Sequence, residues 1–298
     1  MPIDASYLGQ TLALVAALLW AFAVILFKKS GEKVHPLALN LFKNIIAAVL
    51  LIPTMLIFKE TIIRPAPPNH YFRFIISGLL GMAIGDTLFF ISLNRIGASL
   101  SAIVSYMYSP LVIILSLIFL KETLTPFQIT GIILIIAGLI ATTQIKLPPH
   151  LTRKSLIIGI FLGILSNLAT AIGIIIIKPI LAITPLLWAT QIRLTAGIIG
   201  LASVIIILPA QQAIITSLFS LKSLSYAIGA TILGTYLALV IWLGGMKFTQ
   251  VSIATPLSQT SGIFIFLLAA LFLKEPLTLR KIIAVIITFT GALLIFLG

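Results

Sequence analysis

The chain has 298 residues, of which 60% are hydrophobic and 8% are charged, and its 19 basic residues outnumber its 6 acidic ones. Soluble domains carry about 25% charged residues, so this composition excludes a water-soluble globule, and the absence of cysteine excludes a disulfide-linked scaffold. In a soluble protein a net charge of +13 would suggest a nucleic-acid partner. Here the basic residues stand singly or in pairs between apolar runs, which favours loops at a lipid bilayer and no nucleic acid.

Ten apolar runs are long enough to cross a bilayer core, which takes roughly 20 helical residues. In chain order they cover 8–27, 37–58, 72–93, 100–120, 127–145, 155–177, 187–208, 223–244, 251–273 and 280–298. Barrel strands would alternate at every second residue, so continuous runs predict helices. The first run lacks the basic leader of a signal peptide, so we expect it to remain as a helix. The prediction is an all-α integral membrane protein with ten transmembrane helices.

The chain repeats itself at an offset of about 150 residues. Lys28 matches Lys178 and Lys43 matches Arg193, while the stretch Phe-Leu-Lys-Glu at 119–122 recurs at 272–275. The halves, 1–150 and 151–298, each hold five runs, and five is an odd number. The second half must therefore enter the membrane from the opposite face. Two inverted five-helix repeats are a common plan of secondary transporters, which bind substrate near the midplane between the repeats.

Two matched helix–loop–helix signatures resemble those of a known family. Residues 120–128 read Leu-Lys-Glu-Thr-Leu-Thr-Pro-Phe-Gln and are followed by Gly131 and Gly138, and residues 273–278 read Leu-Lys-Glu-Pro-Leu-Thr and are followed by Gly291. On these residues the chain resembles the drug/metabolite transporter superfamily, in its ten-helix EamA-type branch, over essentially its whole length. The resemblance implies a permease that exports or exchanges small metabolites, often amino acids or nucleotide-related compounds. We expect a monomer or homodimer in the cytoplasmic membrane of a bacterium or archaeon.

Three charged residues fall well inside the predicted spans, where a charge costs about 2.5–3.5 kcal/mol even on insertion scales. Lys43 in the second span and Asp86 in the third lie at similar depths from one face. An ion pair, or alternation of Asp86 between Lys43 and a proton, is therefore allowed. Arg193 lies at the equivalent depth from the other face without an acidic match, since Leu239 takes the place of Asp86. Two such cations suit an anionic or zwitterionic substrate; the alternative is that both extend their charges to the interface or form structural pairs.

The fourth and ninth spans carry the most polar stretches, and each contains a proline, Pro110 or Pro256, that frees a backbone carbonyl. Interrupted helices at matched positions point to the substrate site of a transporter. The other candidate cavity residues are Trp20, Ser105, Tyr106, Ser109, Tyr236, Trp242, Ser258 and Gln259. Some of the hydroxyls could instead join helices, and the aromatic residues could belong to the interfacial belt, as we expect for Trp188.

The matched acids Glu122 and Glu275 follow the fourth and ninth spans. We expect each to place negative charge at the N-terminus of the next helix, with a gating contact as the alternative.

The sequence contains none of the motifs that would indicate an enzyme. It has no Gly-x-x-x-x-Gly-Lys-Ser/Thr loop and no His-Glu-x-x-His or cysteine set, so we expect no ATP hydrolysis, no metal site and no cofactor. A flippase for a lipid-linked substrate is the alternative in the same architecture, and an intramembrane enzyme or assembly factor is more remote.

The orientation in the membrane stays open. Lys and Arg are more numerous in the loops after odd-numbered spans, which would place both termini outside, whereas the resemblance implies cytoplasmic termini.

Overall fold

A computed structural model describes residues 5–120, 125–143, 151–219, 221–249, 254 and 257–297. Those residues form helices and short connections, without a β-strand among them. Six helical stretches in this part of the chain are long and apolar enough to cross a membrane, namely Leu8–Gly31, Pro36–Ile57, Pro68–Ser105, Arg153–Leu181, Leu186–Ile207 and Ser223–Phe248. Shorter apolar helices cover Tyr108–Phe119, Pro126–Gly138 and Leu257–Leu273.

The first half begins with two long helices, α1 (Ala5–Gly31) and α2 (Pro36–Ile57). A continuous helical stretch follows, made of α3 (Pro68–Gly78), a π-helical segment (Leu79–Gly85) and α4 (Asp86–Ser105). After a turn come α5 (Tyr108–Leu120) and α6 (Pro126–Thr143).

The second half has the same order of elements. It begins with α7 (Arg153–Leu181) and α8 (Leu186–Ile207), which are followed by the short α9 (Gln211–Thr216) and a 3-10 turn (Ser217–Phe219). A continuous stretch is again built from α10 (Leu221–Ala230), a π-helical segment (Thr231–Ala238) and α11 (Leu239–Phe248). The last helices are α12 (Ser261–Leu273) and α13 (Leu279–Leu297).

One predicted boundary differs from the structure. The third run was expected to end at residue 93 and the fourth to begin at residue 100, but α4 continues across both positions and bends at Gly97 (φ 82°, ψ 172°). Only glycine adopts this backbone conformation without strain. The kink therefore takes the place of the expected loop.

The helices of the two halves interleave. α1 packs against α10, the second π-helical segment, α11 and α12, while α7 packs against α3, the first π-helical segment, α4 and α5. α2 packs against α8, and α6 against α13. Helices at equivalent positions in the two halves thus make equivalent contacts with the other half.

The glycines of the repeated signatures lie where α6 and α13 cross. Gly138 faces Thr288, and Gly291 faces the backbone of Gly131 and Ile135. Glycine at these positions lets the two helix backbones approach closely.

Candidate functional site

A cavity of about 200 Å³ lies in the interior of the bundle. The predicted site residues that line it are Trp20, Lys43, Asp86, Ser105, Trp242, Ser258 and Gln259. Tyr108, Ser166, Asn167, Thr170, Thr235 and Ser261 add further polar groups to this wall. Both halves of the chain contribute to this wall, which we call the central cavity.

Lys43 and Asp86 form an ion pair in the wall of the central cavity. Lys43 Nζ lies 2.7 Å from Asp86 Oδ2 and 2.9 Å from Asn44 Oδ1. The Lys43 side chain is 2% exposed, whereas that of Asp86 is 22% exposed. The alternative that Lys43 extends its charge to the membrane interface is therefore wrong, because its ammonium group is held inside the bundle.

Asp86 directly follows the first π-helical segment, and the geometry of this segment sets its position. A π-helix interrupts the regular hydrogen-bond ladder, so its carbonyls need other donors. Asn40 Nδ2 donates to the carbonyls of Met82 (2.9 Å) and Ala83 (3.1 Å), and Ser166 Oγ donates to that of Gly85 (2.7 Å). These side chains fix the turn from which Asp86 faces Lys43.

Asn40 and Asn44 are functional residues that the sequence reasoning missed. Both are fully buried, and Asn44 Nδ2 also donates to Asn40 Oδ1 at 3.3 Å. The available signal was their spacing: two amides four residues apart, flanking Lys43, share one face of an apolar helix.

Arg193 is fully buried in the bundle. None of its three guanidinium nitrogens has a hydrogen-bond partner among the residues that the structure describes. Its Nη2 lies against Gly81, where an added Cβ would be 3.2 Å away. The alternative that Arg193 reaches the interface is therefore wrong for this residue too.

Asp86 pairs directly with Lys43 and makes no ion pair with Arg193. Asp86 and Tyr108 of the first half contribute only a weaker electrostatic interaction to Arg193. Lys43 and Arg193, which occupy matched positions in the sequence, thus differ in their surroundings. Lys43, Arg193 and Asp86 together carry a net charge of +1.

Gln259 joins the fourth and ninth spans on the other side of the central cavity. Its Nε2 donates to the Ser105 carbonyl at 2.8 Å and to Ser109 Oγ at 3.4 Å, one residue before Pro110 in α5. The hydroxyls of Ser105 and Ser258 donate to carbonyls one turn earlier in their own helices. The hydroxyl hydrogens of these two serines are therefore already used in hydrogen bonds to the backbone.

Four of the predicted cavity residues do not line the central cavity, namely Arg193, Tyr106, Ser109 and Tyr236. The Tyr106 ring packs against Gly262, and its hydroxyl has no hydrogen-bond partner in the described part of the chain. The Tyr236 hydroxyl lies 2.5 Å from Thr54 Oγ1 and does not line the central cavity.

Trp188 does not belong to an interfacial belt. Its side chain is 1% exposed and packs edge-on against Tyr71 and Phe74, with ring centroids 5.0 and 5.7 Å away. Its backbone amide donates to Glu60 Oε2 at 3.0 Å, so this carboxylate caps the start of α8.

Glu275 caps the N-terminus of a helical segment in α4. It does not cap α13, the helix that follows it in the chain. Its two carboxylate oxygens accept from the amides of Ala98 (2.8 Å) and Ser99 (3.0 Å), directly after the kink at Gly97. The expectation that it serves the next helix, α13, is wrong. Glu122 and Pro256 lie outside the described residues.

The residues that the structure describes contain no group of three His, Cys, Asp or Glu side chains that could hold a metal ion. In the wall of the central cavity, Lys43 and Asp86 can pair with charged groups, and the surrounding amides and hydroxyls can form hydrogen bonds.

Comparison with known proteins gives the family. The family model described as "EamA-like transporter family" matches residues 7–144 and again residues 157–297. An uncharacterized transporter of Methanothermobacter thermautotrophicus is 20% identical over 97% of this chain and 86% of its own length. An uncharacterized protein of Methanocaldococcus jannaschii is 34% identical over 43% of this chain and 91% of its own length.

A protein of solved crystal structure has the same fold. It superposes with a TM-score of 0.65 at 18% identity, covering 97% of this chain and 96% of its own. The family model matches nearly all of the sequence, in two copies. The chain belongs to the EamA-like transporter family and is a multi-pass integral membrane protein.

Proposed function

We propose that this protein is a secondary transporter that moves a small zwitterionic or anionic metabolite, such as an amino acid, across the membrane by alternating access. The observation that carries the proposal is the buried Lys43–Asp86 ion pair in the wall of the central cavity. Ionisable groups inside a membrane bundle are costly, and they typically mark the path of a substrate or ion.

The proposed architecture is ten transmembrane helices in two inverted repeats, 1–150 and 151–298. Residues at equivalent positions in the two halves make similar contacts, which supports this architecture. Lys28 Nζ donates to the carbonyl of Asn94 near the middle of α4, and Lys178 Nζ donates to that of Met246 near the end of α11. The two π-helical segments also correspond, since the offset of 153 maps 79–85 onto 232–238.

The ion pair offers a site for both ends of a zwitterion. A substrate carboxylate replaces Asp86 as the partner of Lys43, and a substrate ammonium group replaces Lys43 as the partner of Asp86. Protonation of Asp86 also releases Lys43, so a proton gradient can drive the same exchange. No ATP is needed for this cycle.

The size of the central cavity favours a small metabolite over a lipid-linked substrate. Its volume of about 200 Å³ is below the range of roughly 300–1,000 Å³ that is typical of pockets for drug-sized ligands. The flippase alternative would need a larger site that opens toward the lipid.

Counterflow in proteoliposomes, with a panel of amino acids, organic acids and nucleosides, tests the proposal. We expect one class of zwitterion or organic anion to exchange saturably in the wild-type protein and at least tenfold more slowly in Lys43→Met. Saturable exchange of neutral nucleosides alone, at equal rates in both proteins, would overturn the assignment of substrate class.

A further inference from the structure

A second and larger cavity opens at the end of the bundle where α1 ends. Its volume is about 720 Å³, within the range of ligand-binding pockets. Six basic side chains line it, namely Lys28, Lys29, Lys33, Arg95, Lys274 and Lys281. We call these six residues and the space between them the basic basin.

The basic basin is not neutralised from within. Glu32 and Glu275 are the acids in its wall, so its charged groups sum to +4. Both oxygens of Glu275 already accept from the amides of Ala98 and Ser99. In the described part of the chain, none of the six cations has a carboxylate within ion-pairing distance.

Two of these cations are held in place by contacts with the bundle. Lys281 is 7% exposed, and its Nζ donates to the Pro276 carbonyl at 3.2 Å. Lys28 Nζ donates to the Asn94 carbonyl at 3.2 Å. Each ammonium group carries three donors, so donors remain for an anion in the basin.

The basic basin is separate from the central cavity. Trp20 lines the central cavity and Lys28 lines the basin; the two residues are about 12 Å apart along α1. Between the two spaces lies an aromatic cluster of Trp20, Phe27, Phe89 and Phe90, with ring centroids 4.9–6.4 Å apart. Among the residues that the structure describes, none lines both cavities.

We propose that the basic basin binds an organic phosphate. Lysine ammonium groups bind phosphate as point charges, and a phosphate carries more negative charge than a single carboxylate, which suits a +4 site. Ile96, Leu100 and Phe272 in the same wall offer an apolar surface to the organic part of the ligand. Such a ligand is either the headgroup of an acidic phospholipid or a soluble phosphate ester.

Thermal unfolding of the purified full-length protein in neutral detergent tests the site, because a ligand that binds the folded state raises its stability. One arm titrates phosphatidylglycerol into the micelles, with phosphatidylcholine for comparison. The other arm titrates inorganic pyrophosphate at constant ionic strength. We expect saturable stabilisation in one arm, and the arm that responds identifies the source of the phosphate.

A basin variant carries Lys33→Gln, Arg95→Gln and Lys274→Asn; Asn is used at Lys274 because the backbone there is left-handed (φ 54°). A control variant removes three cations from the opposite end, with Lys59→Asn, Arg64→Gln and Arg73→Gln; Asn is used at Lys59 because the backbone there is also left-handed (φ 56°). Each cation near a membrane surface contributes about fivefold to the binding of an anion. We expect the basin variant to bind roughly 100-fold more weakly and the control variant to bind as the wild type does.

Three results would overturn the proposal: neither probe stabilises the wild-type protein saturably, the two variants weaken binding equally, or the basin variant binds as the wild type does. Where the basin variant does not fold, the single change Lys33→Gln at an exposed position takes its place. It should weaken binding about fivefold, and unchanged affinity would count against the site.

Discussion

Asp86 is the one acidic member of a set of three charges that includes Lys43 from its own half and Arg193 from the other half. Lys43 is paired with it directly at 2.7 Å, whereas the buried guanidinium of Arg193 interacts with it electrostatically. With one anion bound beside them the net charge of the three groups falls from +1 to zero. An anionic substrate thus completes the charge balance, whereas a zwitterion can place its carboxylate beside Lys43 and its ammonium group beside Asp86.

Asp86→Asn removes the only carboxylate of this set of three charges. We expect counterflow to fall at least tenfold and the remaining transport to ignore a pH gradient imposed across the liposome membrane. Glu32→Gln, which removes an exposed acid from the other cavity, is the control and should keep the wild-type rate. Full transport that still responds to the pH gradient in Asp86→Asn would exclude proton coupling through this residue.

Arg193→Met distinguishes a functional from a structural role of the buried guanidinium. Removing an unpartnered buried charge does not destabilise the fold, so we expect an unchanged or higher melting temperature together with at least a tenfold loss of counterflow. Lys43→Met is the matched comparison, because it leaves Asp86 and Asn44 without their partner and should lower the melting temperature. A fall in melting temperature for Arg193→Met with transport intact would assign Arg193 a structural role.

At the residue scale the sequence predicted which charged residues lie inside the spans, but not how they are held. Counting residues along a span gives the depth of a residue in the membrane. The similar depths of Lys43 and Asp86 were enough to predict that an ion pair between them is allowed. Depth does not give the direction in which a side chain points. The burial of Arg193 and the amide support from Asn40 and Asn44 depend on neighbouring helices, which one span considered by itself does not reveal.

At the scale of elements, irregular helix geometry coincides with the candidate site. Each half has a π-helical segment in its third span, and Asp86 directly follows the first of them. Further along the same stretch, Gly97 bends α4, and Glu275 from the other half caps the helix that resumes at Ala98. The two halves therefore form hydrogen bonds with each other at the break in α4.

Gly97→Ala tests whether this break is needed. At φ 82°, an alanine is strained by about 1–3 kcal/mol, and its Cβ would also lie 2.8 Å from Glu275 Oε1. We expect the melting temperature to fall by roughly 5 °C. Gly229→Ala in α10 is the matched control, because its Cβ would meet only Leu26 Cδ1 at 3.4 Å. Equal melting temperatures for the two variants would show that the break carries no strain.

Hydrophobic runs predicted where the long helices lie, because a spanning helix must be apolar over about 20 residues. They also predicted an interruption between residues 93 and 100, where the kink at Gly97 lies, but they did not predict its form or the π-helical segments. A glycine is compatible with both a regular helix and a kink, and here the choice depends on the carboxylate that Glu275 brings from a distant part of the chain.

At the scale of the whole molecule, the proposed inverted repeat makes a prediction about the two membrane faces. The chain has no cysteine, so single-cysteine variants can be labelled cleanly. Lys33 and Ile183 are matched positions in the connections that follow α1 and α7. With an inverted repeat, Lys33→Cys and Ile183→Cys should react with an impermeant maleimide from opposite faces. Lys59→Cys, at the far end of α2, should react from the same face as Ile183→Cys.

Labelling of Lys33→Cys and Ile183→Cys from one and the same face would mean that the halves are parallel, and the proposed architecture would be wrong. The same labelling in right-side-out vesicles determines which face is cytoplasmic. It thereby decides between the orientation favoured by the loop charges and the one implied by the family resemblance.

The measurement that tests the central claim most directly is counterflow by the purified protein in liposomes preloaded with a panel of zwitterions and organic anions. The account predicts that external labelled substrate of one such class accumulates saturably and transiently, without ATP. It also predicts that Lys43→Met and Asp86→Asn abolish this accumulation while Glu32→Gln does not. Saturable exchange that is unchanged in both central-cavity variants, or no exchange of any zwitterion or anion in the panel, would contradict the account.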